Sequence, residues 1–250
     1  MSNPAITLRR GKEESLNRFH PWVFSGAIAA MPDSLEEGDI VDVVAHDGRH
    51  IGVGHYQIGS IMVRILDFAS TTINKDFFAT RLTEALKLRQ ALRLNREDNN
   101  AYRLVHGEGD FLPGLIVDIY GNTAVVQAHS PGMHFARTDI ANALVTLEGI
   151  EIKNVYYKSE TTLPYKAHLD PQNDYIIGGF ETNVAIENGL KFHADFELFV
   201  HTKSLQLCPT LCNPLDCSPP GSLSMEFSRQ HRSGLLSPPA GGSTQPRDQT

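Results

Sequence analysis

A chain of 250 residues with 22 Lys and Arg against 29 Asp and Glu carries a net charge of −7 at pH 7, which excludes a protein that coats nucleic acid through bulk positive charge. Hydrophobic residues make up 41%, enough for one large core or two small ones, yet no apolar run approaches the roughly 20 residues of a membrane-spanning helix. The opening MSNPAITLRRGKEE lacks an apolar stretch behind its charges and does not read as a secretory signal, so a cytoplasmic protein with no membrane partner is expected.

The first 72 residues read as mostly β. Residues 12–19 have room for one or two helical turns. The run DIVDVVA (39–45) alternates as a half-buried strand does. Asp47-Gly48 then predicts a type I′ hairpin turn, which needs positive φ at both central residues. The return strand spans 51–56, where Gly52 and Gly54 admit a bulge or a close backbone approach. A further strand, SIMVRIL, covers 60–66. So many short strands with tight turns predict a small barrel.

The clearest helix spans 75–94. Asn74 is its candidate N-cap, and Phe77, Phe78, Leu82, Ala85, Leu86, Leu88 and Leu92 form its apolar content. Arg81, Lys87, Arg89 and Arg93 are assigned to its other, solvated face. Strands follow at 102–106, 115–120 and 123–129, the last two joined by Gly121-Asn122. A helix over 133–147 precedes strands at 154–158 and 174–177. A hairpin at 184–186 and 190–194 turns through Asn188-Gly189. Helices and strands mix without regular βαβ alternation, which predicts an α+β fold.

The character of the chain changes near Leu198. Residues 198–250 hold 7 of the 14 prolines and only 4 Lys and Arg with 3 Asp and Glu. Segments such as SPPGSLS follow neither a strand nor a helix period, so too little apolar surface is available to offset the entropy of ordering, and a disordered tail is expected. All three cysteines (Cys208, Cys212, Cys217) lie there. Their spacing lacks a Cys-x2-Cys pair, so no metal site is assigned.

Two groups of residues could carry chemistry. Arg10, Lys12 and Arg18 with His20 and Trp22 could form an RNA surface, cations meeting phosphates and aromatic faces stacking unpaired bases. Alternatively, Trp22 and Phe24 plug the barrel and the basic residues are ordinary solvated surface. His106, Glu108, Asp110 and Asp118 could divide protonation roles as an acid–base set, as in a hydrolase. The stronger reading is turn chemistry, with short carboxylates capping backbone N–H groups before Leu-Pro-Gly. Gly107, Gly109 and Gly114 do not lead from a strand into a helix, so they are no phosphate loop.

Longer stretches resemble one family. RFHPWVFSGAI (18–28), GDIVDVVAHDGRHIGVGHY (38–56) and SIMVRIL resemble the PUA module that opens a class of ribosomal-RNA large-subunit methyltransferases. YRLVHGEGDFLPGLIVDIYGNTAVVQAHSPG (102–132) is similar to that family's central domain, and IENGLKF (186–192) to the hairpin leading into its catalytic domain. The resemblance implies a PUA-like RNA-binding domain (1–72), a central α+β domain (73–180), a connecting hairpin (181–197) and, after it, a tail unrelated to the family. That tail (198–250) resembles the translation of an interspersed repeat of ruminant genomes, which implies a chimeric chain.

The family uses S-adenosylmethionine to methylate C5 of a cytosine in 23S ribosomal RNA, through a Rossmann-like domain that this chain is expected to lack. Alkylating cytosine C5 generally requires a Cys thiolate added at C6, and residues 1–207 contain no cysteine. No glycine-rich donor turn is legible either. The expectation is therefore a truncated, catalytically inactive chain that holds no cofactor, binds structured RNA such as 23S rRNA and does not methylate it; the alternative is a stand-alone RNA-binding module. Without a following domain, Ile186, Leu190 and Phe192 of the hairpin should lose part of their burial.

Overall fold

The computed structural model describes residues 3–196, apart from 165, 166, 170, 182 and 195. Its first sheet is built from β1 (Ala5–Leu8), β2 (Trp22–Phe24), β3 (Ile28–Ala30), β4 (Ile40–Val44), β5 (His50–Tyr56) and β6 (Ile61–Asp67). The helical turn expected between β1 and β2 is α1 (Glu14–Asn17). The strands pair in the order β2-β6-β5-β4-β1-β3. Laid flat, six strands would place their edges about 24 Å apart at ~4.8 Å per strand. The edge strands β2 and β3 are joined only by a 3-10 turn at Ser25–Ala27, whose reach is at most ~14 Å. The sheet must therefore curl on itself, which gives the expected small barrel. Ile6, Leu8, Leu16, Val23, Val41, Val43, Val63 and Ile65 fill it.

The turn between β4 and β5 differs from expectation. Of its residues only Gly48 has positive φ (+84°), so a type I′ turn is not formed. The loop is three residues long instead: the Ala45 N–H donates to Arg49 O at 2.8 Å, and the Gly48 N–H to Ala45 O at 3.0 Å. Asp47 uses its carboxylate to accept the Arg49 N–H, a local bond that holds Asp47 out of the left-handed region and leaves Gly48 to reverse the chain. On β5 and β6 the backbones approach closely. A Cβ on Gly54 would collide with the Arg64 carbonyl, and one on Gly52 would come within 2.6 Å of the Asp67 carbonyl.

Helix α2 (Lys75–Ala91) starts as expected, with Asn74 Oδ1 accepting the Phe77 N–H at 3.0 Å. It ends earlier than 94, because Arg93 turns left-handed at φ +56°. Its buried stripe also differs. Phe78, Leu82, Ala85 and Arg89 are spaced by four, three and four, so Arg89 continues the stripe and is buried. Leu88 points outward and Leu92 lies past the helix end, and both are exposed.

The second sheet comprises β7 (Ala101–His106), β8 (Leu115–Tyr120), β9 (Thr123–Ala128), β10 (Asn154–Tyr157) and β11 (Asp174–Ile177), in the order β11-β10-β9-β8-β7. The single helix expected at 133–147 is two, α3 (Pro131–Phe135) and α4 (Arg137–Val145), meeting at Ala136. Through them β9 crosses over to the parallel strand β10, one βαβ unit within an α+β fold. Helices α2 and α4 cover one face of the sheet, over Leu104, Val117, Ile119, Val126 and Val155.

A final hairpin, β12 (Asn183–Glu187) and β13 (Leu190–Ala194), turns through Asn188 (φ +50°) and Gly189 (φ +83°). Of the three hairpin side chains named above, Leu190 is 61% exposed, Ile186 is half-buried and Phe192 is buried. The turn before β7 grips the hairpin: the Asn100 N–H donates to Ile186 O at 2.8 Å, Asn100 Oδ1 accepts the Ile186 N–H at 2.6 Å, and the Gly189 N–H donates to Asp98 O. The tail at 198–250, expected to be disordered, lies outside the described residues, as do its cysteines.

Candidate nucleic-acid interface

Period-two alternation on β2 buries Val23 in the barrel and turns Trp22 and Phe24 outward. Neither aromatic is therefore a barrel plug. Trp22 is half-buried and Phe24 is 47% exposed. His20 joins them, edge-on to Trp22 at 5.3 Å and stacked near Phe24 at 6.5 Å, and its Nδ1 accepts the Trp22 backbone N–H at 3.3 Å. The structure thus brings His20, Trp22 and Phe24 into one ring cluster, exposed at His20 and Phe24 and half-buried at Trp22.

The basic residues flank this cluster along the chain. Arg10 and Lys12 sit exposed on a turn closed by the Lys12 N–H donating to Arg9 O. That turn leaves β1 where the Arg9 N–H donates to Ala27 O. Arg18 ends α1, exposed, and pairs with Glu14 at 3.1 Å. Such a surface pair is worth little and leaves the guanidinium able to change partner.

The sequence reading missed the residue opposite Trp22. Arg64 on β6 is in direct register with it. The indole Nε1 donates to Glu108 Oε1 at 2.8 Å and Arg64 Nη1 donates to the same oxygen at 3.1 Å. Gln57 Oε1 accepts the Arg64 Nε–H at 3.2 Å, and the guanidinium lies 5.6 Å from the Trp22 ring centre. Burial pulls the Arg64 pKa down, while the Glu108 charge opposes that shift. Glu108 thereby bridges from the second sheet's 3-10 turn (Gly107–Asp110) to the barrel. The β2–β6 register places Arg64 opposite Trp22, but Glu108 reaches them only through tertiary packing, which no local pattern encodes.

The carboxylates considered as an acid–base set are otherwise employed. Asp110 is gripped by Arg89 through two bonds of 2.6 and 2.7 Å, both residues buried, and Asp110 also accepts the His106 N–H. Asp118 is paired with Arg103 at 2.7 and 3.0 Å, which raises the Arg103 pKa. Arg103 Nη1 is 3.2 Å from His106 Nδ1. Each of the three carboxylates is thus held by a guanidinium, whereas the expected capping of backbone N–H groups is seen at Asp110, with the His106 N–H. His129 lies in the same electrostatic neighbourhood. Burial lowers its pKa, with Arg64 and Arg103 adding to the effect, and its Nε2 is buried without a hydrogen-bond partner.

No group of His, Cys, Asp and Glu among the described residues could hold a metal ion, and no helix among them is long and apolar enough to cross a membrane. Three strands run directly into α-helices: β1 into α1, β6 into α2 and β9 into α3. The connecting segments contain one glycine at most, Gly11. None is the glycine-rich turn that cradles a nucleotide-like donor, so these residues do not fit S-adenosylmethionine.

Comparison with known proteins agrees with this architecture. Residues 6–68 match the PUA-like domain family. The chain is 40% identical over 196 residues to ribosomal RNA large subunit methyltransferase I of Escherichia coli strain K12, a match covering 77% of this chain and 49% of the relative. The protein of that name from Shewanella amazonensis is 36% identical over the same shares. Among solved structures, a Streptococcus mutans protein described as a SAM-dependent methyltransferase superposes with a TM-score of 0.61 at 16% identity, over 77% of this chain and 48% of the other, a likeness of fold. The chain spans about half the length of the curated relatives it matches, and within that half it contains a PUA-like domain and is similar to ribosomal RNA large subunit methyltransferase I.

Proposed function

We propose that residues 3–196 form the RNA-binding portion of a ribosomal-RNA cytosine-C5 methyltransferase-like protein, with 23S rRNA as its partner. In this reading the barrel (1–72) contacts RNA through Arg10, Lys12, Arg18, His20 and Trp22. The α+β domain (73–180) buttresses it, and the hairpin (181–197) connects onward. The observation that carries the reading is the His20–Trp22–Phe24 cluster on a PUA-like barrel, flanked along the chain by exposed cations. Aromatic faces stack unpaired bases, and cations position the phosphates around them. Methyl transfer is not assigned to this portion. Residues 1–207 offer no cysteine to activate cytosine, and the strand-to-helix turns do not suit the donor.

The test is binding to a structured 23S rRNA fragment across a salt series. Single changes Arg10→Ala, Lys12→Ala and Arg18→Ala should weaken binding to different sequences alike. Each should make the log–log salt slope shallower by ~0.7 to 0.9 per lost phosphate contact. Arg93→Ala, beyond α2, is the reference. Equal and negligible effects at all four positions would return these residues to ordinary solvated surface.

A further inference from the structure

We propose that Glu108 occupies a subsite built for an RNA phosphate, and that the RNA backbone displaces it from Trp22 and Arg64 on binding. This rests on the RNA-binding reading above and adds one defined phosphate contact to it.

Two donors converge on a single oxygen. The Trp22 indole N–H and the Arg64 guanidinium both point to Glu108 Oε1, at 2.8 and 3.1 Å. Both donors belong to the barrel and stand in register on β2 and β6, whereas the acceptor comes from the other sheet. A non-bridging phosphate oxygen has the same charge sign and the same capacity to accept from both. The donors are preorganised, because Gln57 fixes the Arg64 Nε–H and the guanidinium lies against the Trp22 ring. The Arg64 side chain is only 14% exposed, against 38% for Glu108, so the carboxylate is the outer and more accessible partner.

Glu108 is also free to leave. Its 3-10 turn is anchored by the neighbouring Asp110, through Arg89 and the His106 N–H, so the glutamate side chain can swing away without releasing the turn. His20 and Phe24 stand edge-on to the same indole, where bases attached to the incoming phosphate would stack. Exchange of one anion for another at Arg64 gains little net electrostatic energy. The subsite thus discriminates against anions that do not also bring bases to the rings, which suits a chain of net charge −7.

Glu108→Gln in the full chain is the decisive change, because it keeps the shape and an acceptor oxygen while removing the competing charge. Trp22 is the sole tryptophan, so its emission reports binding of a structured rRNA fragment at the site itself. Glu108→Gln should bind about fivefold more tightly with an unchanged salt slope, because the same phosphate meets Arg64 in both chains. Trp22→Phe, which keeps a ring but removes the N–H and the emission, is followed instead by the anisotropy of a fluorophore-labelled rRNA fragment, and should weaken binding several-fold even if Glu108→Gln folds poorly. In the double variant Arg64→Gln with Glu108→Gln the gain should vanish. If Glu108→Gln melts like the unaltered chain yet binds no more tightly, or Trp22→Phe binds unchanged, the subsite is refuted. The RNA-binding reading then still stands provided Arg10→Ala, Lys12→Ala or Arg18→Ala weakens binding. Absence of RNA binding by the unaltered chain and by every variant overturns both.

Discussion

Arg89 and Asp110 form a two-bond ion pair beneath the outer surface, joining the buried stripe of α2 to the 3-10 turn that follows β7. The same carboxylate accepts the His106 N–H, and Arg89 Nε donates to Arg103 O at 3.0 Å. The pair is therefore satisfied on both sides, the condition under which burial of two charges is tolerated.

Breaking it should be costly. Arg89→Met leaves Asp110 buried without its cation, and a loss of about 3–5 kcal/mol is expected. Asp110→Asn, which leaves Arg89 buried without its anion, should cost a similar amount. The double variant Arg89→Met with Asp110→Leu should recover much of the loss, since an apolar pair of similar volume removes the desolvation problem. Urea unfolding of the three variants checks this, and a double variant no more stable than either single one contradicts it.

Acid should loosen the boundary between barrel and second sheet. His55 is buried, and a Cβ on Gly132 of α3 would strike its ring. Burial lowers its pKa to about 4, whereas the unfolded chain titrates near 6.5. Between those values the unfolded state binds a proton that the folded state refuses. Stability from this site is complete above pH 6.5 and is lost as pH falls toward 4, by at most about 3 kcal/mol. His129 and His134, also lowered by burial, act in the same direction. Urea midpoints at pH 7.5 and 5 measure the effect, and His55→Gln should flatten it. Gly132→Ala should destabilise the chain at both pH values, by about 1–3 kcal/mol.

The Asn100 side chain ties the first strand of the hairpin at two points. Asn100 Oδ1 accepts the Ile186 N–H, and Asn100 Nδ2 donates to Val184 O at 3.4 Å. Asn100→Ala should cost about 1–3 kcal/mol locally. The readout is hydrogen exchange: amides of 184–194 should exchange at least tenfold faster, while those of β8 and β9 keep their protection. Uniform loss across the second sheet would instead make Asn100 part of the global core.

Because the connecting turns do not suit a methyl donor, titration calorimetry with S-adenosylmethionine at micromolar concentration should show no saturable heat. A stoichiometric isotherm would place a donor site within this portion and reverse that assignment.

Much of the architecture was legible because local rules govern it. Period two located β4, β5 and β6, and the Asn74 cap fixed the start of α2. The charge of Arg89 points to the solvated face, but the spacing of 78, 82, 85 and 89 places it on the buried stripe, where the structure has it. The break at Ala136 carries no proline or glycine of its own, so the run from 133 to 147 looked continuous. The aromatic part of the candidate site was legible in the residue types of His20, Trp22 and Phe24, although β2 is not among the expected strands. Its Arg64–Glu108 half was not, since those residues stand 44 apart and meet only where the 3-10 turn after β7 reaches the barrel.

The barrel has a consequence for biosynthesis. All six of its strands lie within Ala5–Asp67, so a nascent chain can close it once residue 67 has emerged from the ribosome. Glu108 is made about forty residues later, which at ~5–20 residues per second is on the order of two to eight seconds. During that interval Trp22 and Arg64 face outward with no carboxylate upon them, beside the very class of molecule that the barrel is proposed to bind. Glu108, in arriving, would end a period of unregulated stickiness during synthesis.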